Sequence, residues 1–195
     1  MKRIGIYSGS FNPVHAGHIS FALQAIKAAD LDQVFLMPER YRRQKTDLAH
    51  FAHRVAMIKQ AIKPHSQLSL LETNEINHSA ERTLPMLKQR FPGSTLVVLV
   101  GSDLLNRIGD WPHAELLLQS TELVVGVRTG DEKSVPERLG DLPAKPKAVT
   151  VINSYAPSVS STKIREALRC RRPAEGVLAS VQRYSDRNWL YISLV

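Results

Sequence analysis

Short apolar runs alternate with amphipathic helical patterns along most of the chain, and this alternation restricts the fold more than any other feature. Strand patterns are expected at Arg3–Ser8, Gln33–Met37, Leu68–Leu71, Thr95–Val100, Glu122–Val127 and Ala148–Ile152. Helical spacing is expected at Gly17–Ala29, Leu48–Ile62, Leu84–Arg90, Pro112–Gln119, Ser161–Arg169 and Pro173–Arg183. Such alternation predicts an α/β protein with a parallel sheet and helices on both faces.

Local signals refine some of these boundaries. Thr83 is expected to cap the third helix, which places Pro85 in the first turn, where proline is tolerated. Ser160 is a suitable N-cap for the helix that follows it. Three prolines and two glycines predict that 129–147 is a loop with at most a short helical turn. The tail Trp189–Val195 is expected to be extended.

The composition fits one domain with a basic surface. The length is 195 residues, of which 43% are hydrophobic, so the chain can bury a substantial core. We expect a core at about 1–155 and a C-terminal motif with helices at about 156–195. The net charge of +8 suits phosphate-bearing partners, either small nucleotides or nucleic acid, although an incidental surplus of charge explains it equally well.

The sequence also bears on location. No apolar run approaches the roughly 20 residues of a membrane span, and no signal peptide is recognisable. The lone Cys170 can form no internal disulfide, which fits a reducing compartment. We therefore expect a cytoplasmic protein without a membrane partner.

The stretch Ser8–His18 joins the first strand to the first helix and contains the most informative residues. Its glycines, Gly9 and Gly17, allow the backbone to pass close to a ligand. Its histidines, His15 and His18, are expected to project toward the same side. A turn that opens a helix also presents backbone N–H groups and the positive end of the helix dipole. This arrangement suits a polyphosphate.

Alternative roles for this turn fit its residues less well. The stretch matches neither the Walker pattern nor the dinucleotide pattern G-x-G-x-x-G. The H-x-x-H spacing permits a zinc ligand pair, but it recurs at His50 and His53 without glycines. We therefore expect no protein-bound metal site. A purely structural turn with two polar histidines is the alternative if the stretch is considered alone.

Polar clusters follow five of the predicted strands. They are Ser8–His18, Glu39–Lys45, Gly101–Asp103, Arg128 and Ser158–Arg165. Because parallel sheets bind ligands at the carboxyl ends of their strands, all five should meet at one edge of the sheet. This convergence predicts a nucleotide site.

Two of these clusters resemble family signatures. Gly9–His18, GSFNPVHAGH, resembles the first signature of the nucleotidyltransferase superfamily, G-[ST]-F-x-P-x-H-x-G-H. Val159–Arg165, VSSTKIR, resembles the second signature, I-S-S-T-x-I-R. Within the superfamily the chain is most similar to bacterial-type nicotinate (or nicotinamide) mononucleotide adenylyltransferases. The resemblance implies a Rossmann-like sheet with a small C-terminal helical addition, and AMP transfer from ATP with Mg²⁺ to a mononucleotide.

The resemblance also implies roles for individual residues. Catalysis is assigned to His15, His18 and Arg165. ATP binding is assigned to Ser8, Gly9, Ser10, Phe11, His15, Gly17, His18, Gly101, Asp103, Arg128, Ser160, Ser161, Thr162 and Arg165. Acceptor binding is assigned to Lys45, Arg82, Thr83 and Trp111. The N-terminus of the helix after Ser160 would hold the β- and γ-phosphates, and Arg165 would neutralise their charge.

Simpler roles stay open for several of these residues. Arg165 on a solvated helix face, Asp103 as a helix cap and Lys45 in a solvated basic loop are the alternatives. Trp111 either stacks on the acceptor ring or packs in the core.

The acceptor half departs from the resembled family. Arg82-Thr83 stands where the family usually has Tyr-Thr, so the acceptor could be another phosphorylated molecule, such as phosphopantetheine, in adenylyl or cytidylyl transfer. A non-catalytic nucleotide- or RNA-binding module is the alternative from another class. The two histidines together with the complete second motif argue against it and against nucleic acid as a partner. Homo-oligomers are common in the family, but the sequence locates no interface.

Overall fold

In the described part of the chain, six parallel strands form one sheet in the order β3-β2-β1-β4-β5-β6. The structure is a computed structural model that describes residues 1–40, 48–73, 79–128, 130–153 and 159–192, with Asn106 described by its backbone alone. The strands are β1 (Arg3–Gly9), β2 (Gln33–Pro38), β3 (Leu68–Leu70), β4 (Thr95–Gly101), β5 (Glu122–Val127) and β6 (Val149–Asn153). The predicted parallel sheet is confirmed, and its strand order reverses between β1 and β4.

Helices connect these strands. In the described ranges they are α1 (Ala16–Ala28), α2 (Phe51–Ile62), α3 (Ala80–Arg90), α4 (Ser102–Ile108), α5 (Ala114–Ser120), α6 (Val135–Gly140), α7 (Ser161–Arg169) and α8 (Ala179–Arg187). None of the helices in these ranges is long and apolar enough to cross a membrane.

The core lies on both faces of the sheet. Leu96–Val100, the apolar centre of β4, is buried on both sides, as expected for a central parallel strand. One apolar cluster packs α1, α2 and α8 against the sheet, and the second packs α4, α5 and α6. A third cluster joins α3 to β1 and β4. At the amino ends of the strands, Arg3 Nη2 lies 2.7 Å from Glu122 Oε2 and ties β1 to β5.

Several predicted boundaries are wrong. The third helix begins at Ala80 after an extended Ser79, so the predicted cap Thr83 lies inside the helix and is buried. Pro85 is accordingly beyond the first turn. The helix α4 is absent from the predicted elements; it follows β4 directly, with Gly101 in an extended conformation as its N-cap. The second helix begins at Phe51, after the predicted Leu48.

The C-terminal region also differs from the prediction. The last helix begins at Ala179 because Gly176, with φ of +75°, turns the chain before it. The tail is not extended where it is described, since Trp189 and Tyr191 have φ of 52° and 63° and form turns. The predicted loop 129–147 contains the short helix α6, in line with the expected single turn. Ser160 is the N-cap of α7, as predicted, with its Oγ accepting from Lys163 N at 3.2 Å.

Candidate active site

The turn between β1 and α1 has an unusual backbone supported by aromatic packing. Phe11 has φ of 44°, and the peptide bond between Asn12 and Pro13 is cis. The Phe11 ring is buried and makes edge contacts with the rings of Tyr7 and His18 at 5.4 Å and 5.1 Å. Because its ring belongs to the core, Phe11 can meet a ligand through its backbone. Gly9 has no room for a side chain without crowding this ring, since a Cβ there would lie 3.3 Å from it.

The two histidines of this turn lie against each other. Their rings stack with centroids 3.7 Å apart, and the His15 backbone N–H donates to His18 Nδ1 at 3.2 Å. Burial lowers the pKa of His15 to about 4, and the nearby Arg128 contributes to this lowering. His15 is therefore neutral near pH 7. A neutral imidazole has one N–H donor and one acceptor nitrogen, so the His15 ring can form hydrogen bonds but carries no charge.

Two polar atoms of the turn are buried without a partner among the described residues. They are His15 Nδ1 and Ser8 Oγ. Buried polar groups are normally hydrogen-bonded to protein or water, so these two atoms make the turn a candidate ligand site. The first amide of α1, Ala16 N–H, donates to Gly176 O at 2.9 Å. Because this amide is already bonded, it is not available to a ligand at the N-terminus of α1.

The second signature contacts the first directly. Ser161 Oγ donates to Pro13 O at 2.9 Å, and Arg165 Nη1 donates to Asn12 O at 2.9 Å. Arg165 is 6% exposed, so the alternative of a solvated helix face is wrong. Thr162 lies exposed in the first turn of α7, beside the half-buried Ser160. The two signatures therefore form one surface at the carboxyl edge of the sheet.

Asn12 is the point where distant parts of the chain meet this turn. It is fully buried, and its Oδ1 accepts from Ala49 N at 3.0 Å and from the Tyr191 hydroxyl at 2.8 Å. The entrance to α2 and the C-terminal turn are thereby joined to the first signature. Tyr191 could not be found from the sequence, since nothing in its neighbourhood marks its hydroxyl as the partner of a distant turn.

A second turn at the same edge joins β4 to α4. Ser102 is fully buried; its Oγ donates to Asp131 Oδ2 at 2.6 Å and accepts the Arg128 backbone N–H at 3.0 Å. Arg138 donates to Ser102 O at 3.0 Å and to Asp131 Oδ1 at 3.2 Å. The Ser102 hydroxyl and the Arg138 guanidinium hold the pKa of Asp131 below its usual range. This closed network fixes the ends of β4 and β5.

The network supports the pair Asp103 and Arg128. Their side chains approach to 3.4 Å and are about half exposed, at 44% and 51%. Asp103 is the second residue of α4, so it does not cap that helix. A Cβ on Gly101 would lie 2.5 Å from the Asp103 carboxylate, so this glycine leaves room for it. Burial raises the pKa of the Tyr7 hydroxyl. The Arg128 charge opposes this rise and the Asp103 charge adds to it, so the hydroxyl lies near both side chains.

The structure describes three of the four predicted acceptor residues. Arg82 and Thr83 are on α3, and Trp111 lies between α4 and α5. Contact between Glu81 Oε2 and His113 Nε2 at 3.1 Å brings these two regions together. Thr83 Oγ1 is buried without a partner among the described residues, and Trp111 is half-buried against the α4–α6 cluster. Lys45 lies outside the described residues.

Some residues around the site were not predicted from the sequence. Arg54, Asp131 and Arg138 carry much of the hydrogen bonding around the two turns. Arg54 had a detectable signal, because it sits beside Val55 and Ile58 on the apolar face of a helix pattern, where a charge is unexpected. Asp131 and Arg138 had none, because charges in a proline-rich loop are usually solvated.

Comparison with known proteins identifies a matching family and related structures. The cytidylyltransferase-like family model matches residues 6–167. The nicotinate-nucleotide adenylyltransferase of Bacillus subtilis (strain 168) is 31% identical over 201 residues, covering 99% of this chain and 100% of that protein. A structure of Plasmodium falciparum nicotinic acid mononucleotide adenylyltransferase complexed with NaAD has a TM-score of 0.82 at 21% identity, with 98% of both chains covered. A complex of that protein with APC has a TM-score of 0.79 at 20% identity and the same coverage.

The fold and the two joined signatures define a nucleotidyltransferase of the cytidylyltransferase-like class. The predicted superfamily resemblance is thus confirmed. Within this class, the chain belongs to the nicotinate-nucleotide adenylyltransferase family.

Proposed function

We propose that this enzyme transfers AMP from ATP to nicotinate mononucleotide, giving nicotinate adenine dinucleotide and pyrophosphate, a step of NAD biosynthesis. The observation that carries the proposal is the joining of the two signatures, where α7 contacts Asn12 and Pro13 beside the stacked histidines. The membership of the family named after this reaction supports the choice of acceptor.

The chemistry needs positioning and charge neutralisation. A phosphate oxygen of the mononucleotide attacks the α-phosphorus of ATP and forms a new P–O bond. The bond from the α-phosphorus to the bridging oxygen breaks, and its electron pair leaves with pyrophosphate. The attacking phosphate is already ionised near pH 7, so no strong base is required. Groups aimed at the developing negative charge supply the acceleration.

The residues of the first turn suit this task. Neutral His15 and its neighbour His18 would donate hydrogen bonds to phosphate oxygens, and the unpaired His15 Nδ1 and Ser8 Oγ would gain partners on binding. The N-terminus of α7, with Ser160, Ser161 and Thr162, would face the departing pyrophosphate. Arg165 adds positive charge from its buried position behind Asn12.

The second turn suits the nucleoside part of ATP. The half-exposed pair of Asp103 and Arg128 can meet polar groups of the ribose or base, since Asp103 offers acceptors and Arg128 offers donors. Mg²⁺ enters with ATP, because this ion is usually held by substrate phosphates and one or two carboxylates. Asp103, which is 44% exposed at this edge, fits the role of such a carboxylate.

The acceptor is assigned to the region between α3 and α5. Trp111 offers a flat apolar surface for a pyridine ring, and Arg82 offers a cation for a carboxylate. This favours nicotinate over nicotinamide mononucleotide. The predicted cytoplasmic location stays part of the proposal, since the free Cys170 is exposed and fits a reducing compartment.

We further propose that the chain acts as one nucleotidyltransferase domain. Support comes from the C-terminal part, because Tyr191 bonds Asn12 and Val181 of α8 is fully buried in the cluster that includes α1 and α2.

Pyrophosphate release from ATP and Mg²⁺ tests the reaction. Nicotinate mononucleotide, nicotinamide mononucleotide and phosphopantetheine are offered in separate reactions. We expect the fastest release with nicotinate mononucleotide, and a smaller preference for it in Arg82→Gln. Release with phosphopantetheine alone would move the acceptor to another class. ATP binding without release in any reaction would support the non-catalytic alternative, which an RNA affinity that falls steeply with salt would identify.

A further inference from the structure

Arg54, on α2, is a charged side chain in the interior of the protein. It is 1% exposed and is among the largest fully buried side chains in the described part of the chain. Arginine stays protonated inside proteins, so a positive charge lies beneath the carboxyl edge of the sheet. A buried charge is costly unless its hydrogen bonds are satisfied. The contacts that satisfy this one therefore indicate what it does.

Its guanidinium donates to three backbone carbonyls from three separate segments. Nη1 donates to Ser10 O at 2.7 Å, in the turn after β1. Nη2 donates to Arg40 O at 3.1 Å, just after β2, and Nε donates to Ala49 O at 3.0 Å, just before α2. Each nitrogen has its own acceptor, so the planar shape of arginine is used in full. A lysine could not reach all three.

A second arginine extends this arrangement to β3. Arg40 Nε donates to Thr73 O at 2.7 Å, and its guanidinium lies over the Phe51 ring at 4.3 Å from the centroid. The Arg54 guanidinium lies 5.3 Å from the same centroid. Glu39 N also donates to Gly9 O at 3.0 Å. The carboxyl ends of β1, β2 and β3 are thus linked through hydrogen bonds to backbone carbonyls.

These contacts join the two halves of the site. Ser10 belongs to the signature turn that faces ATP. Arg40 belongs to the polar cluster Glu39–Lys45, whose Lys45 the family resemblance assigns to acceptor binding, and Ala49 N also bonds Asn12. Arg54 reaches no surface, so it acts on substrates through the backbone that it holds.

We propose that Arg54 is a positioning residue that fixes the signature turn relative to the segment after β2, so that ATP and the acceptor phosphate are held in line for transfer. The assignment of the two substrates rests on the proposed function. The prediction about ATP depends only on the signature turn.

The first experiment compares Arg54→Lys and Arg54→Met with Gln60→Met, a matched control on the exposed side of the same helix. Circular dichroism establishes that each variant is folded, and kinetics are measured well below its melting temperature. We expect Arg54→Lys to lower kcat about tenfold and to raise the KM for ATP and for the acceptor, with Arg54→Met worse and Gln60→Met unchanged. A folded Arg54→Lys with a lower melting temperature but unchanged kcat and KM values would overturn the proposal.

A second experiment uses the unmodified protein, so it tests the link between the signature turn and the start of α2 even if the variants do not fold. Amide hydrogen exchange is measured with a non-hydrolysable ATP analogue alone and with nicotinate mononucleotide alone. Because the two segments are linked, the ATP analogue should slow exchange at 48–54 as well as at 9–18, and 84–98 serves as the internal control. Protection by the analogue confined to 9–18 would overturn the link. Absence of turnover with a pyridine acceptor would remove the proposed function, while this ATP measurement would still test Arg54.

Discussion

The neighbouring central strands β1 and β4 both lead into a helix at the same edge of the sheet, but the two turns treat their polar groups in opposite ways. At the end of β1 and in the turn that follows, Ser8 Oγ and His15 Nδ1 are buried without partners in the described structure. After β4, the hydroxyl of Ser102 both donates and accepts, and the bonds of Asp131 and Arg138 close the network around it. The first turn leaves two buried polar atoms without a partner among the described residues, whereas side chains of the protein itself close the network of the second turn.

This difference separates two kinds of contribution to a nucleotide site. Unpaired buried groups are costly in the free protein, and a ligand that bonds them removes this cost, so we propose that those of the first turn meet the reacting phosphates. A network whose hydrogen bonds are already formed gains no bond from a ligand. It instead fixes the position of neighbouring side chains such as Asp103 and Arg128. Changes in the first turn should therefore affect chemistry most, and changes in the second should affect affinity.

The largest effect is expected from His18→Ala. His18 is proposed to donate to negative charge that grows in the transition state, and the loss of one such donor lowers kcat by about 100-fold or more. Pyrophosphate release at saturating ATP and acceptor measures it. His53→Ala, in α2 and outside this turn, is the control. Unchanged kcat in a folded His18→Ala would remove this side chain from the mechanism.

His15 should make stability depend on pH. Its pKa of about 4 in the folded protein lies below the value of 6.5 in an unfolded chain, so the unfolded state binds more protons between these values. The contribution of neutral His15 to the free energy of unfolding is fully present above about pH 6.5 and is lost as the pH falls toward 4. From pH 7 to pH 5 the free energy of unfolding should fall by about 2 kcal/mol from this group.

Urea unfolding at both pH values measures this loss. His15→Gln, which cannot titrate, should lose about 2 kcal/mol less than the wild type over the same interval. Equal losses in the two proteins would mean that His15 titrates normally in the folded state.

Asp131→Asn should weaken the second turn. The substitution removes the charge that holds Ser102 and Arg138 together, so Arg128 loses its fixed position beside Asp103. We expect the KM for ATP to rise about fivefold with little change in kcat, which corresponds to the loss of one ordinary hydrogen bond of about 1 kcal/mol. Asp141→Asn, at the exposed end of α6, is the matched control. A fall in kcat at constant KM would show that Asp131 supports the chemical step, as proposed for the first turn, and not the affinity for ATP.

The smallest effect is expected from Trp111→Ala, which follows α4 and so depends on the second turn. We expect the acceptor KM to rise about threefold while the KM for ATP is unchanged, because stacking on one aromatic ring contributes modestly. Leu116→Ala, an exposed apolar residue of α5, controls for packing. A lower melting temperature with unchanged KM would show that Trp111 serves the core.

The sheet was predictable because its signals are local. Each strand pattern, such as Thr95–Val100, is a short apolar run bounded by polar residues, and every strand of the sheet was predicted to within a single residue at each end. The short helix α4 escaped prediction because Gly101-Ser102-Asp103 is as compatible with a loop as with a helix start. The early residues of the last predicted helix failed for a similar reason, because the effect of Gly176 is visible once its φ is known.

In the candidate site, too, local signals were recognisable and long-range contacts were not. Its signature residues were recognisable because each signature is contiguous in the chain. The residues that hold the signatures in place were not, because Arg54, Asp131 and Tyr191 act on partners far away in the sequence. Arg165 shows the difference within one side chain: its presence was predicted from the motif, whereas its contact with Asn12 O required the fold.

The bonds around Asn12 have a consequence for how the protein acquires its site. Tyr191 is separated from Asn12 by 179 residues and Arg165 by 153. Contacts of such large sequence separation are entropically costly to close and form late in folding. During synthesis, the signature turn has to wait until Tyr191, 179 residues later in the chain, has been made before their hydrogen bond can form. A nascent chain can therefore form β1 and β2 long before the signature turn has its final support.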